Sequence, residues 1–304
     1  MKWIKEGLVF GPAGRVSWAA HSALQPSPLR FSKEVIRIYA GMRDADDISR
    51  IGYVDVKADN PSEVIGISEA PCLDIGIAGC FDDNGVVPCC AVQTQEGIYL
   101  YYAGYQLVGK VRFLVFGGLA FSRDGSKFER VQVVPVVDRT PTETLFRVIH
   151  TAMQDGGRWR IWYGGGSQFQ QGKYKTLPVY DIRYTESADG IHIPQEGRVV
   201  LPTSGDEYRI ARPNVIKKAD GYHMFLCHGS ETDPYSLGYA YSKDGINWIR
   251  NDALLGLEKT SGSWDSEMMA YPAYIETEEN AYLFYNGNNY GYEGFGYARL
   301  VSAD

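Results

Sequence analysis

The chain of 304 residues carries 37 acidic and 30 basic side chains, a formal net charge of −7 that disfavours nucleic-acid backbones and anionic membrane surfaces as partners. No apolar run approaches the roughly 20 residues needed to cross a bilayer. Residues 1–7 lack the apolar core of a secretory signal, so a cytoplasmic location is expected.

The composition points to strands. With 22 Tyr, 12 Phe and 34 Gly, the chain is rich in residues that suit half-buried pleated surfaces and tight turns. In chain order, an aromatic-rich strand ending in a Tyr-x-Gly type turn recurs at 38–41, 100–104, 161–165, 225–229 and 283–287, a blade-sized period of about 60 residues. Partner strands follow at 49–53, 118–122, 182–185, 237–242 and 295–298. Three of them run into Asp-Gly hairpin turns, Asp124-Gly125, Asp189-Gly190 and Asp244-Gly245, where both central positions are expected to tolerate positive φ. Outer strands follow at 128–131, 191–193 and 247–250. The pattern predicts an all-β five-bladed β-propeller of four-stranded antiparallel blades. The last blade lacks an outer strand, and Trp3-Ile4-Lys5 resembles Trp248-Ile249-Arg250, so the N-terminal strand is expected to close the ring and protect a sheet edge. Residues 1–304 read as a single domain.

The inner strands are predicted at 21–29, 79–92, 143–153, 207–216 and 264–275. Four carry acids near their beginnings: Asp82 and Asp83, Glu143, Glu207, and Asp265 with Glu267. His21, Gln25, Arg147, His150, Arg209 and Arg212 lie on the same stretches. Glu207, Arg209 and Ala211 share one face of an ideal strand, with Arg212 opposite unless the strand bends. Two carboxylates flanking a sugar can serve as acid and as base or nucleophile. Arginine forks favour carboxylate and phosphate, which points to an anionic ligand, and Arg43 is placed to join them. Tyr271, Tyr290 and Tyr292 flank the last blade's turns, where they could stack on a sugar ring or serve the core. Cys72, Cys80, Cys89, Cys90 and Cys227 form no paired spacing and read as reduced thiols, so neither a metal nor another cofactor is expected.

The whole chain resembles the propellers of glycoside hydrolase families 43, 32 and 68 and the mannoside phosphorylases of family 130. The resemblance rests on the Ser-x-Asp-Gly turns that start at Ser122 and Ser242, on Trp264-Asp265-Ser266-Glu267-Met268, and on Tyr285-Asn286-Gly287-Asn288. It implies the architecture and a carbohydrate substrate. Where those hydrolases carry an Asp on the first inner strand, this chain reads Leu24-Gln25-Pro26. Where invertase-like members carry Arg-Asp-Pro and Glu-Cys-Pro, it reads Phe146-Arg147-Val148 and Ala211-Arg212-Pro213. The family's carboxylates therefore do not transfer to these positions.

The resulting expectation is a glycoside hydrolase-like enzyme cleaving a glycosidic or glycosyl-phosphate bond of a small anionic sugar derivative, such as a sugar phosphate or nucleotide sugar. Asp83, Glu207 and Glu267 would supply acid/base function. His21, Gln25, Arg43, Arg147, His150, Arg209, Arg212 and Tyr271 would bind substrate. A catalytically inactive sugar-binding propeller, a glycosyl transferase and a phosphorylase are the alternatives.

Overall fold

The structure, a computed structural model, describes residues 1–302. Nearly every element is a strand, and the pairings are almost all antiparallel. Strand β1 (Lys2–Phe10) is followed by a meander of β2 (His21–Arg30), β3 (Val35–Arg43), β4 (Ser49–Lys57) and β5 (Val64–Ile67). The next three meanders are β6 (Val86–Gln93), β7 (Ile98–Leu107), β8 (Phe113–Ser122) and β9 (Glu129–Arg130); β10 (Phe146–Asp155), β11 (Arg158–Gln171), β12 (Thr176–Ser187) and β13 (Arg198–Leu201); and β14 (Arg209–Lys218), β15 (Gly221–Gly229), β16 (Ser236–Ser242) and β17 (Ile249–Arg250). The last set is β18 (Ala270–Glu276), β19 (Ala281–Asn286) and β20 (Phe295–Ser302). β1 pairs with β20 from Lys2 opposite Ser302 to Phe10 opposite Phe295.

Short parallel contacts join β8 to β10 and β12 to β14, so hydrogen bonding merges the three middle meanders into one continuous 12-stranded sheet. Separate sheets were expected from the sequence. The merger arises where each first strand runs beside the third strand of the meander before it.

Alternating apolar residues on these strands leave two faces to bury, and each sheet buries one against the next. Tyr39 and Ile51 pack with Leu100 and Tyr102, Tyr101 and Leu119 with Ile161 and Tyr163, and Trp162 and Ile182 with Met224 and Leu226. Phe225 and Tyr239 pack with Leu283 and Tyr285, and Phe284 and Tyr297 pack with Ile36 and Ile38 of the first meander.

The Asp-Gly turns add polar ties to this packing. Only the glycines take positive φ, at 73°, 76° and 74° for Gly125, Gly190 and Gly245. The preceding aspartates instead accept backbone N–H groups, as Asp244 Oδ1 does from Ile246 and Asn247, a side-chain-closed turn rather than the double left-handed hairpin expected. Each glycine carbonyl accepts a hydrogen bond from an aromatic of the neighbouring meander: Tyr39 Oη at 2.9 Å, Tyr101 Oη at 2.8 Å and Trp162 Nε1 at 2.8 Å.

Candidate functional site

The first strand of every meander is interrupted by a bulge. Register shifts fall between Leu24 and Ser27, Pro88 and Cys90, Ile149 and Thr151, Ala211 and Asn214, and Ala270 and Ala273. A bulge frees a residue from the ladder and re-aims its side chain. The residues so freed include Gln25, Cys89, His150, Arg212 and Tyr271. Gln25, Arg212 and Tyr271 hold φ of 52°, 53° and 56°, a left-handed backbone that side-chain-bearing residues keep only under constraint.

These side chains meet where the five strands converge. Arg212, 1% exposed, donates to Gln25 Oε1 at 2.6 Å, Pro88 O at 3.1 Å, Pro26 O at 3.0 Å and Ser27 Oγ at 2.9 Å. Cys89 Sγ lies 3.8 Å from Gln25 Oε1. Burial lowers the Arg212 pKa, yet no carboxylate forms an ion pair with it among the described residues.

Above this floor opens a cavity of about 510 Å³, within the range of small-molecule sites. Gln25, His150, Arg209, Arg212 and Tyr271 line it, as does Arg43, with Arg112 and Lys175 contributing from exposed positions nearby. The carboxylates among the described lining residues are Asp46 and Asp47, both exposed. Arg43 pairs with Asp47 at 3.5 Å. Arg209 lies 3.7 Å from the Tyr235 ring centroid and donates to Pro234 O, and its Nε has no partner among the described residues. The site is a positively charged cup walled by tyrosine rings.

His150 lines this cup, and its Nδ1 is buried without a partner among the described residues. Burial, and then the Arg212 charge, hold its pKa well below the usual imidazole value, so it is neutral in the folded protein. The unfolded chain takes up that proton below about pH 6.5 and the folded chain does not, so this stabilising difference is present above that pH and is lost as pH falls. Comparing wild type with His150→Gln by urea unfolding at pH 7.5 and pH 5, the wild type should lose up to about 2 kcal/mol relative to the variant at the lower pH. Parallel pH profiles would contradict the assignment.

Six of the eleven residues assigned a catalytic or binding role from sequence line the cavity, Gln25, Arg43, His150, Arg209, Arg212 and Tyr271, as does Tyr290, a candidate for stacking. β14 does bend, and its bulge brings Arg212 to the same cavity as Arg209. His21 stands outside the lining, stacked on Tyr292 at 4.8 Å and 3.5 Å from Asp47. Arg147 and all three acids proposed for acid/base work are elsewhere. Arg147 is buried against Glu143 at 2.9 Å. Asp83 caps a turn by accepting the Gly79 N–H at 2.8 Å. Glu267 is exposed, with its backbone N–H donating to Asn288 Oδ1. Glu207 turns to Arg250 at 2.6 Å and His228 at 2.8 Å; burial pushes its carboxyl up, and Arg250, the Ser204 N–H and His228 together more than reverse that, leaving it below the usual range.

The reason is that the strands start later than expected. β6, β10, β14 and β18 begin at Val86, Phe146, Arg209 and Ala270, so the acids fall in the approach loops. There they build a repeated latch. Asp82 accepts from Tyr102 Oη at 3.0 Å and Arg130 Nε at 2.8 Å, Glu143 accepts from Tyr163 Oη at 2.7 Å beside Arg183, and Asp265 accepts from Tyr285 Oη at 3.0 Å and Lys5 Nζ at 2.6 Å.

Sequence reasoning passed over Arg112, Lys175 and the wall tyrosines Tyr105, Tyr180, Tyr208 and Tyr235. The unusual length of β11 and β12, 14 and 12 residues, is the signal that could have pointed to Lys175 and Tyr180.

No family model matches the chain. It is 34% identical over 301 residues, 99% of each chain, to the uncharacterized protein Rv1502 of Mycobacterium tuberculosis. Among solved structures it is similar to a thermostable family-43 glycoside hydrolase, with 19% identity, a TM-score of 0.70 and coverage of 92% of this chain and 90% of that one. It is also similar to sucrose-6-phosphate hydrolase from Lactobacillus gasseri, with 14% identity, a TM-score of 0.63 and coverage of 95% and 62%. At these identities the likeness is one of fold.

Proposed function

The chain belongs to the same family as Rv1502 of Mycobacterium tuberculosis, and we propose that it is a carbohydrate-active, glycoside hydrolase-like propeller that takes an anionic sugar derivative into the cavity where its five inner strands meet. In this reading residues 1–304 form one domain, the five strand sets are blades, and β1 closes the ring. The β1–β20 pairing and the packing of Phe284 and Tyr297 on Ile36 and Ile38 support closure.

The observation that carries the ligand class is the group of guanidinium side chains facing the cavity without carboxylate partners. Arg209 and Arg212 are nearly fully buried and form no ion pair among the described residues. A buried charge is costly unless an opposite charge answers it, so the cup is completed by a phosphate or carboxylate group. Arg43, Gln25, His150 and Tyr271 then orient the sugar, and His21 lies behind the rim. Sucrose-6-phosphate hydrolase, one of the structural neighbours, has a phosphorylated sugar in its name.

Titration calorimetry with a hexose, its phosphate, its uronic acid and a nucleotide sugar tests the reading. The anionic ligands should bind at least tenfold more tightly than the neutral hexose, with affinity falling as salt rises. Arg209→Met should weaken anion binding by roughly 30-fold or more, as expected for removing one side of a desolvated charge pair. Equal affinity for neutral and anionic sugars, unaffected by that variant, would reject it.

A second reading has its own support. Among the described residues no buried carboxyl lines the cavity, so a propeller that binds sugar without cleaving it accounts for the same geometry. A product assay on any ligand that binds separates the two, and phosphate dependence of cleavage would identify phosphorolysis or transfer.

A further inference from the structure

The wall beside Arg209 carries a tyrosine held in an unusual backbone. In the one-turn segment Asn288–Gly291, Asn289 and Tyr290 have φ/ψ of 51°/41° and 59°/29°, two successive left-handed residues that are not glycine. For a bulky aromatic this conformation persists only where the surroundings impose it. Here they do. Asn286, completely buried, accepts the Gln25 N–H at 2.7 Å and donates to Ala23 O and Gly294 O at 2.8 Å. Asn288 Oδ1 accepts the N–H groups of Glu267 and Met268 at 2.8 and 3.0 Å. The Asn286-Gly287-Asn288 phrase is thus a clamp that fixes the next turn to β2 on one side and to the approach loop of β18 on the other.

The clamp delivers the Tyr290 ring to the cavity, with its Oη 3.4 Å from Arg209 Nη2. The charged groups that act on it are Arg209 from β14, Lys175 before β12 and Arg112 before β8. The other titratable groups around it are phenols: Tyr235 at 6.1 Å between ring centroids, with Tyr105, Tyr180, Tyr208 and Tyr271. No carboxylate stands among these neighbours. Burial raises the Tyr290 pKa, but Arg209 and then the two outer cations bring it below the ordinary phenol value.

We propose that Tyr290 is the reactive group of the cavity, its phenolate oxygen attacking the anomeric carbon of a bound glycosyl phosphate. The bond from Tyr290 Oη to the anomeric carbon forms as the bond from that carbon to the phosphate oxygen breaks, and the electron pair leaves with the phosphate. Water then attacks the same carbon, the phenolate departs with its electron pair, and the proton released by water ends on the free phosphate. This inference rests on the reading of the cavity as an anionic-sugar site. It also explains why the cavity needs no carboxylic acid. A sugar alcohol leaves only if something protonates it, whereas phosphate leaves as an anion that Arg209 and Arg212 can receive. Tyrosine nucleophiles are known among enzymes that cleave sugars.

The test begins with ultraviolet titration of tyrosinate in wild type, Tyr290→Phe and Arg209→Lys, alongside calorimetry with inorganic phosphate. Wild type should show one phenol ionising below the bulk transition near pH 10. That step should be absent in Tyr290→Phe and retained in Arg209→Lys, which keeps the charge. A panel of hexose 1-phosphates assayed for phosphate release should then give at least one substrate, with Tyr290→Phe reducing kcat by roughly 100-fold or more and leaving KM within about threefold. Superimposable titrations of wild type and Tyr290→Phe overturn the proposal, as does unchanged turnover in the variant or no hydrolysis of the panel by wild type. Phosphate binding with a normal Tyr290 titration sinks this proposal alone, whereas failure of phosphate and sugar phosphates to bind sinks the anionic-site reading beneath it.

Discussion

Glu143→Leu should destabilise the protein by about 3–5 kcal/mol, the range for removing one partner of a buried ion pair. Glu143 is fully buried, and its carboxylate faces Arg147 at 2.9 Å and Arg183 at 3.2 Å while accepting from Tyr163 Oη. Without it the Arg147 guanidinium, 2% exposed, keeps its contacts to the Asp138 and Pro194 carbonyls but has no counter-charge. Glu143→Gln retains the volume and an acceptor for Tyr163, so it should cost less. Urea unfolding gives both values. The same variants should leave ligand affinity in the cavity within about twofold, a free-energy change below 0.5 kcal/mol, because this latch lies outside the lining. A large affinity loss without a stability loss would place Glu143 in the binding site.

Arg212→Met should affect stability and binding together. The four strongest hydrogen bonds of Arg212 tie β14 to β2 and to Pro88 of β6, and each acceptor left dry costs about 1–3 kcal/mol. Relief from burying a guanidinium offsets part of that, so a net loss of about 3 kcal/mol is expected. Arg212→Lys should fall between, since an ammonium cannot reproduce the planar fork. Anion affinity should drop in both variants. A methionine variant as stable as wild type would show that the floor is held by the sheets alone.

The sheet order was legible because its signals are local. Tyr-x-Gly turns, Asp-Gly turns and two-residue alternation lie within a few positions of one another, and the likeness of Trp3-Ile4-Lys5 to Trp248-Ile249-Arg250 located the strand that pairs with β20. The destinations of the acids were not legible. Asp82 meets Arg130 across 48 positions and Glu207 meets Arg250 across 43, partnerships that period and spacing do not reveal. The bulges hid a second fact. A proline directly follows Gln25, Arg212 and Tyr271, a bulge signal that the two-residue period overrode, yet that one extra residue decides which side chain faces inward. Gln25 and Arg212 were found because their residue types stand out on an apolar strand. Tyr290 was open to either role, sugar-stacking ring or core, because it is one tyrosine among 22, and only its backbone sets it apart.

The bulges of the five first strands concentrate the cavity's chemistry in five positions. Cys89 and Tyr271 still pack into the apolar core and Arg212 ties β14 to β2 and Pro88, so the five protruding positions, Gln25, Cys89, His150, Arg212 and Tyr271, shape the cavity and carry part of the stability together. A lineage built this way can drift from one substrate chemistry to another through a handful of codons, provided that an exchange at Arg212 is matched at the groups it ties, and a designer would vary those positions together.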